Sequence, residues 1–226
     1  MGRREAKDAI FDTLAGVAKA LGSGRRTEII DVLSQGERSV EDLAGVIEQS
    51  TANTSHHLQV LARSGLVDSR RDGTRVYYHL ASERVGDLWA ALRDVASERV
   101  PGFEDLVRAY VGKEDGEAIS RGELAGRLGD ERLVLLDVRP LTEFEAGHIP
   151  SARAIPPEEL RDHLDEIPPD SEVVAYCRGP YCVYASDAVR ALRDRGLHAR
   201  RLEEGFPEWR REGLPVEADA AAAAAP

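Results

Sequence analysis

The sequence contains little cysteine and no long hydrophobic run. Two cysteines, Cys177 and Cys182, stand in a chain of 226 residues. That is too few for the disulfide framework that staples small secreted domains. The longest strongly apolar runs are about five residues, whereas a membrane-spanning helix needs about 20. The amino terminus also lacks the charged, apolar and small-residue regions of a secretory signal. We therefore expect a cytoplasmic protein with free thiols and no membrane partner.

Basic residues are outnumbered as well, which argues weakly against a nucleic-acid partner. The formal net charge is −11, but residues 1–112 hold 15 Lys and Arg against 17 Asp and Glu, a net of −2. The remaining residues, 113–226, hold 15 against 24, a net of −9. Residues 50–80 hold four Arg, two Asp and three His, so a local basic patch remains. Such a patch fits either a modest, specific DNA reader or an ordinary solvated face.

Apolar spacing divides the chain into a helical half and an alternating half. Helical periodicity predicts helices over 3–21, 25–34, 40–48, 51–64, 82–99 and 103–111. Strands are predicted over 66–70 and 75–80, joined at Asp72-Gly73. A polar stretch over 112–116 is the predicted linker. We place one mainly α domain over residues 1–112.

After the linker, short apolar strands alternate with helices. Strands are predicted over 133–137, 153–155, 173–176 and 198–202. Helices are predicted over 120–128, 141–146, 157–165, 183–195 and 206–212. This alternation indicates an α/β domain with a parallel sheet and flanking helices, which we place over 117–217. Residues 218–226 are Ala-rich and are predicted to be a disordered tail.

The predicted helices 40–48 and 51–64 have the spacing of a helix-turn-helix, and the hairpin after them would form a wing. Short polar groups near the start of such a helix can reach base edges and phosphates in the major groove. The candidates on the second helix are Thr51, Asn53, Thr54, Ser55, His56, His57, Gln59 and Arg63. The wing adds Arg70, Arg71 and Arg75 for phosphate or the minor groove. The alternative is a set of merely exposed polar residues.

Three segments together resemble the ArsR family of winged-helix repressors. They are Gln49-Ser50-Thr51-Ala52-Asn53-Thr54-Ser55-His56-His57-Leu58-Gln59-Val60-Leu61, Gly65-Leu66-Val67, and Arg70-Arg71-Asp72-Gly73-Thr74-Arg75-Val76-Tyr77-Tyr78. The resemblance covers roughly residues 5–100. It implies a homodimer, paired through the first helix and helix 82–99, that binds an inverted-repeat operator in double-stranded DNA. Trp89 and Leu92 would then be core or dimer residues.

One departure from that family concerns metal. Many metal-sensing members hold two cysteines in the helix before the turn, where this chain has Ser39-Val40-Glu41-Asp42-Leu43-Ala44. A thiolate metal site in this domain is therefore excluded. Because His56 and His57 are adjacent on a helix, they point about 100° apart and chelate one ion poorly. We predict no metal and no cofactor.

Both cysteines lie in one loop, Cys177-Arg178-Gly179-Pro180-Tyr181-Cys182, between a predicted strand and a predicted helix that starts at Val183. A reactive thiol needs positive potential to form the thiolate, which is the nucleophile. Arg178, the inward-facing N–H groups of a curved loop and the helix amino terminus would supply it. Gly179 allows a tight curve. The alternative is two ordinary cysteines in a turn.

Further segments around this loop resemble a rhodanese domain over residues 117–217. They are Asp137-Val138-Arg139, Glu143-Phe144, Gly147-His148-Ile149-Pro150, the cysteine loop, Gly205-Phe206 to Trp209, and Gly213-Leu214-Pro215-Val216. The resemblance implies that Cys177 carries a persulfide, taken from thiosulfate or another sulfane-sulfur donor and passed to a thiol or cyanide. We interpret Asp137, Arg139 and His148 as residues that shape the site, with plain ion pairs and turn contacts as an equal alternative.

The length of the loop separates related chemistries. The phosphatase signature places Arg six residues after the cysteine, where this chain has Val183, so phosphatase activity is not expected. Cys182 could resolve a persulfide or sulfenic acid on Cys177 into a disulfide or trisulfide, or could be a small apolar filler at the helix start. Which of these holds depends on whether the two sulfurs can meet.

Three functional hypotheses follow. The leading one is a transcriptional repressor that loses DNA affinity when sulfane sulfur or redox chemistry modifies Cys177. The second is a sulfurtransferase carried on a DNA-binding module that controls its own operon. The third is detection of arsenic(III) by the two thiols, which is a weak site because it offers only two ligands.

Overall fold

The computed structural model describes residues 1–112 and 118–218. Most of the predicted linker and of the predicted tail lies outside the described residues. The chain divides into two compact units, residues 1–98 and residues 99–226. Within the described residues, no helix combines the length and the apolar character needed to cross a membrane.

The first unit is built from helices around a small antiparallel sheet. Its helices are α1 (Arg3–Leu21), α2 (Gly24–Leu33), α3 (Val40–Val46), α4 (Thr51–Arg63) and α5 (Glu83–Arg99). Its strands are β1 (Arg38–Ser39), β2 (Val67–Asp72) and β3 (Arg75–Leu80), in the order β1-β3-β2. The mainly α winged helix-turn-helix prediction is confirmed, and only the two-residue strand β1 was missed, because it is too short to show a period.

Local capping explains where the two helices of the helix-turn-helix begin. The hydroxyl of Ser39 accepts a hydrogen bond from the backbone N–H of Asp42, which starts α3. The hydroxyl of Ser50 accepts from the backbone N–H of Asn53, which starts α4. Each cap satisfies an amide that has no partner within its own helix. Leu43, buried in α3, anchors that helix in the core of the unit.

The second unit contains a four-stranded parallel sheet with helices around it. Its strands are β4 (Leu133–Asp137), β5 (Arg153–Ala154), β6 (Glu172–Tyr176) and β7 (His198–Arg201), in the order β5-β4-β6-β7. Its helices are α6 (Phe103–Val111), α7 (Arg121–Ala125), α8 (Leu141–Ala146), α9 (Leu160–His163), α10 (Val183–Asp194) and α11 (Phe206–Arg211). The predicted α/β parallel-sheet fold is confirmed.

Two apolar clusters cover the two faces of this sheet. One includes Val173, Ala175 and Leu192, and the other includes Val174 and Trp209. Consecutive residues of β6 thus alternate between two buried faces, as expected for the strand of a parallel sheet covered on both sides. Since β6 lies between β4 and β7, its carboxyl end opens near the middle of the sheet, where ligands bind in open α/β folds.

Helix α6 belongs to the second unit. The predicted domain boundary places it with the first domain, because the polar linker 112–116 follows this helix in the sequence. In the structure α6 packs against α10 instead, and its last residue, Val111, is buried.

Candidate functional site

Helix α4 presents most of its predicted DNA-reading side chains to solvent. Thr51, Asn53, His56, Gln59 and Arg63 are exposed, and Ser55 is half-buried. Thr54 is a correction to the predicted set. Its side chain is fully buried and its hydroxyl donates to the carbonyl oxygen of Ser50, so it packs the helix start and is withheld from DNA.

His57 also belongs partly to the interior. Its ring is half-buried and the Nδ1 atom is enclosed without a hydrogen-bond partner. Burial, followed by the positive charges of Arg26, His56 and Arg25, lowers the pKa of His57. The half-buried ring leaves His57 available for packing as well as for DNA contact, the two roles predicted for it.

Wing arginines are exposed, but Arg70 is held by an acid. Its Nε donates to Glu37 Oε2 at 2.7 Å, and its guanidinium lies 4.9 Å from the centroid of the Tyr77 ring. That hydrogen bond with Glu37 is the main cause that raises the pKa of Arg70. Arg71 and Arg75 are exposed too. A phosphate would therefore compete with Glu37 for Arg70.

Exposed apolar side chains mark two helices of the first unit. On α1 they are Ile10, Phe11 and Leu14, and on α5 they are Leu88, Leu92 and Val95. Trp89, by contrast, is half-buried, packs against the core and donates its indole N–H to Asp31 Oδ1 at 2.8 Å. Large apolar side chains exposed together on two helices indicate an interaction surface.

The cysteine loop follows the carboxyl end of β6 and leads into α10. Cys177 and Cys182 are joined by a disulfide, with their Cα atoms 6.2 Å apart. The expectation of free thiols is thus corrected: the turn brings the two sulfurs together, and among the described residues there is no other cysteine. Cys177 is only 2% exposed, whereas Cys182 is half-buried at the N-cap of α10.

Arg178 does not point a free charge at the sulfurs. Its Nε donates to Glu143 Oε1 at 3.0 Å and its Nη2 to the same oxygen at 2.6 Å. The Glu143 side chain is fully buried and that of Arg178 is 16% exposed. The positive potential expected from Arg178 is therefore largely offset by Glu143, a partner that lies 35 residues away in the sequence.

A close contact between two backbones fixes the first half of the loop. A Cβ added to Gly205 would overlap the backbone of Arg178 and Gly179, and would lie only 2.5 Å from the Gly179 Cα. The Phe206 amide donates to the Cys177 carbonyl at 3.0 Å. Because Gly205 itself has extended backbone angles, it is required for this close approach and not for an unusual conformation.

At the carboxyl end of β4, where Asp137 pairs in register with Tyr176 of β6, Asp137 and Arg139 form a fully buried ion pair. Arg139 Nε donates to Asp137 Oδ1 at 2.9 Å, and Arg139 Nη2 donates to the Gly147 carbonyl at 2.7 Å. The guanidinium carbon lies 4.2 Å from the centroid of the Phe206 ring. Burial lowers the pKa of Arg139, but its hydrogen bonds with Asp137 and the charge of that residue raise it overall. The pair supports the Phe206 segment, which in turn holds Cys177.

His148 packs closely in the same region. It is buried, its ring stacks on Phe144 with centroids 3.7 Å apart, and its Nδ1 lies 3.0 Å from the Phe144 carbonyl oxygen. Backbone hydrogen bonds in both directions join it to Glu217. These contacts tie the end of the second unit to the segment after α8.

The structure adds Phe103, Glu143 and Gly205 to the predicted site residues. The rings of Phe103 and Tyr181 meet edge to face with centroids 5.8 Å apart, so the first residue of α6 touches the cysteine loop. Pro180 and Val183 are half-buried beside it. Glu143 and Gly205 lie within the motifs that resemble a rhodanese domain, but only the fold shows which residues they contact. Nothing in the spacing of Phe103 links it to residue 181.

Comparisons with known proteins match each of the two units to the family that its motifs resemble. Residues 23–69 match the model of the bacterial regulatory protein arsR family, and residues 120–212 match the rhodanese-like domain. The chain is 45% identical over 216 residues to "HTH-type transcriptional regulator Rv0324" of Mycobacterium tuberculosis, covering 96% of this chain and 95% of that protein.

Other relatives match one half only. A "Sulfurtransferase" of Allochromatium vinosum is 34% identical over 99 residues, 43% of this chain and 92% of that protein. A solved homodimeric winged helix-turn-helix DNA-binding domain from Mycobacterium bovis is 44% identical, covering 44% of this chain and 93% of that one, with a TM-score of 0.42.

A winged helix-turn-helix unit and a rhodanese-like unit with a cysteine loop define the class: a two-domain regulator. The chain belongs to the ArsR-family transcriptional regulators that carry a carboxyl-terminal rhodanese-like domain.

Proposed function

We propose that this regulator binds an inverted-repeat operator as a homodimer and loses DNA affinity when sulfane sulfur modifies Cys177. The observation that carries the proposal is the location of both cysteines of the chain, which lie in one loop at the end of β6 in the rhodanese-like unit. The helix-turn-helix has no thiol of its own, so sulfur chemistry has to act on DNA binding from that loop.

DNA and dimer contacts come from separate surfaces of the first unit. Helix α4 and the wing offer Asn53, Gln59 and Arg71 to DNA, all exposed. The exposed apolar side chains of α1 and α5 offer a surface for the second copy. The two-fold symmetry of a dimer matches an inverted repeat, because each copy reads one half-site.

The contact between Phe103 and Tyr181 offers a route from the loop toward the dimer surface. Helix α6 starts at Phe103, and only residues 100–102 separate it in sequence from α5. A change in the cysteine loop that moves Tyr181 alters the packing of α6, and α6 is covalently continuous with the helix that carries Leu92 and Val95. Coupling of this kind needs a differential free energy of about 1–3 kcal/mol between the two states.

The first test is fluorescence anisotropy of the reduced protein on its own upstream DNA, before and after addition of inorganic polysulfide. We expect affinity to fall about 5- to 150-fold in the wild-type protein, the range of typical allosteric couplings. Cys177→Ser is expected to keep its affinity under the same treatment. An equal loss in Cys177→Ser would overturn the proposal, because the response would then not need this thiol.

Phe103→Ala is expected to weaken the effect of polysulfide on DNA affinity while leaving the sulfur modification of Cys177 unchanged. An edge-to-face aromatic pair contributes about 0.5–1.5 kcal/mol, so the polysulfide effect on DNA affinity should shrink roughly two- to tenfold. Intact-mass spectrometry should show unchanged modification of Cys177. Leu106→Ala is the matched control, since Leu106 lies on the same helix but is 70% exposed. The coupling route is wrong if both variants respond like the wild-type protein.

Sulfurtransferase activity is the second candidate, supported by the cysteine loop at the carboxyl end of a central strand. In that case thiosulfate and cyanide would give repeated turnover to thiocyanate, and DNA affinity would not depend on the state of Cys177. The pairing of Arg178 with Glu143 favours the regulatory function, because it offsets the positive charge that repeated binding of thiosulfate, a dianion, would use.

A further inference from the structure

The two sulfurs of the cysteine loop differ in exposure and in position. Cys177 is 2% exposed and its carbonyl oxygen is held by the Phe206 amide. Cys182 is half-buried at the N-cap of α10, and its amide donates to the Gly179 carbonyl at 3.1 Å. The fold nevertheless joins the two sulfurs, with Cα atoms 6.2 Å apart. That separation falls within the usual range for a disulfide.

We propose that Cys182 is the resolving residue of this site, which reduces sulfane sulfur to hydrogen sulfide and leaves the Cys177–Cys182 disulfide as the product. The proposal rests on the proposed function in one respect, that Cys177 accepts sulfane sulfur. It adds the residue that displaces the sulfur from Cys177, the product released and the class of donor.

The donor is an organic persulfide. In the loop, Arg178 is the single basic residue of the sequence from Cys177 to Cys182, and Glu143 holds its guanidinium with two-point geometry. A doubly charged donor such as thiosulfate gains little from a cation whose charge is already offset. A low-molecular-weight persulfide carries at most one charge on its sulfur pair and needs no such clamp.

Loading forms one sulfur–sulfur bond and breaks another. The Cys177 thiolate attacks the outer sulfur of the persulfide, and the bond between that sulfur and the donor's own sulfur breaks. The donor leaves as a thiolate, and Cys177 carries the sulfane sulfur as a persulfide. No net oxidation occurs in this step, since the sulfane sulfur is only transferred.

Resolution is the step assigned to Cys182. Its thiolate attacks the Cys177 Sγ, a bond forms between the two cysteine sulfurs, and the outer sulfur leaves as hydrosulfide. The cysteine pair loses two electrons, and the sulfane sulfur gains them. The product is the disulfide seen in the structure. No further oxidant is needed, because the sulfane sulfur itself accepts the electrons.

Three features favour attack by Cys182 over attack by an external thiol. A nucleophile held in the same loop has an effective concentration that reaches about 10⁵ M or more in well-oriented cases. The contact of Gly205 with Gly179 fixes one side of the loop, and Cys177 lies in the same apolar cluster as Ala185 of α10. The N-terminus of the 12-residue helix α10 stabilises a thiolate at its N-cap.

The test uses the reduced full-length protein treated with glutathione persulfide, with intact mass and released sulfide measured together. The wild-type protein is expected to release a sulfide for each chain and to end lighter by two hydrogens. Cys182→Ser is expected to end heavier by one sulfur atom, with no sulfide above the background of Cys177→Ser. Serine keeps a capping hydroxyl at the start of α10, and Cys182→Ala repeats the test without it.

The outcomes keep this proposal apart from the one it rests on. Resolution by Cys182 would be overturned, and loading of Cys177 would stand, if the wild-type protein retained a stable persulfide on Cys177. The same holds if Cys182→Ser released as much sulfide as the wild type. Failure of Cys182→Ser and Cys182→Ala to gain sulfur, with Trp209 fluorescence showing native packing, would overturn loading of Cys177, and both proposals would fall with it.

Discussion

Gly205→Ala is expected to destabilise the second unit by about 3 kcal/mol, the upper end of the usual cost of overpacking. The added methyl group would meet the backbone of Arg178 and Gly179, which cannot move aside by changing a rotamer. Either the cysteine loop or the segment before α11 has to shift. Because Cys177 is held from that segment by the Phe206 amide, its reaction with a persulfide should slow as well.

Urea denaturation followed by tryptophan fluorescence measures this effect, provided that one unit is observed at a time. The chain has two tryptophans, and Trp209 is fully buried in the second unit, so a Trp89→Phe background isolates its signal. Gly122→Ala is the matched control, since an added Cβ at that helical glycine meets nothing within 4 Å. Equal midpoints for the two alanine variants would contradict the close contact described for Gly205.

Arg139→Met should cost about 3–5 kcal/mol, because it leaves the Asp137 carboxylate charged and buried without its partner. Both side chains of this pair are fully buried. Arg139 also donates to the Gly147 carbonyl and lies over the Phe206 ring. Its loss therefore loosens the packing of Phe206, whose backbone amide donates to the Cys177 carbonyl. The same fluorescence assay of Trp209 under reducing conditions gives the change in unfolding free energy.

Two further variants separate charge from packing in this prediction. Asp137→Asn combined with Arg139→Met removes the stranded charge and should recover part of the lost stability, while the new amide oxygen still accepts from the backbone N–H of residue 139. Arg195→Met breaks an exposed pair with Asp165 and should cost less than about 1 kcal/mol. A loss in Arg139→Met no larger than in Arg195→Met would show that the buried pair is not a structural requirement.

On the two proposals above, the disulfide is the state of low DNA affinity, and it lasts until a thiol reduces it. Cys182 is the half-buried sulfur of the pair, so an incoming thiolate reaches it before Cys177. Reduction at Cys182 returns the buried Cys177 as a thiolate that is ready for another persulfide. The proposed response is therefore expected to depend on the ratio of persulfides to thiols, and an in vitro titration of DNA affinity against that ratio tests this expectation.

Periodicity and local chemistry were enough to predict both folds. The apolar spacing of residues 51–64 predicted α4, and the Ser50 cap placed its start. The continuous apolar run that precedes Cys177 predicted β6, because a strand buried on both faces has no polar positions. Both predictions use only residues that are close together in the sequence, so they need no information about long-range contacts. The motifs around them were specific enough to indicate both families.

The sequence by itself determined the helix-turn-helix, the parallel sheet, the position of the cysteine loop and the absence of other thiols. Only the tertiary structure decided that Arg178 is neutralised by Glu143, that Gly205 presses on Gly179, that Thr54 is buried, and that α6 touches Tyr181. The three contacts join residues that lie 26 to 78 positions apart in the sequence. The burial of Thr54 likewise depends on how the elements pack together. Residue type and spacing do not show which residues, distant in the sequence, the packed core brings into contact.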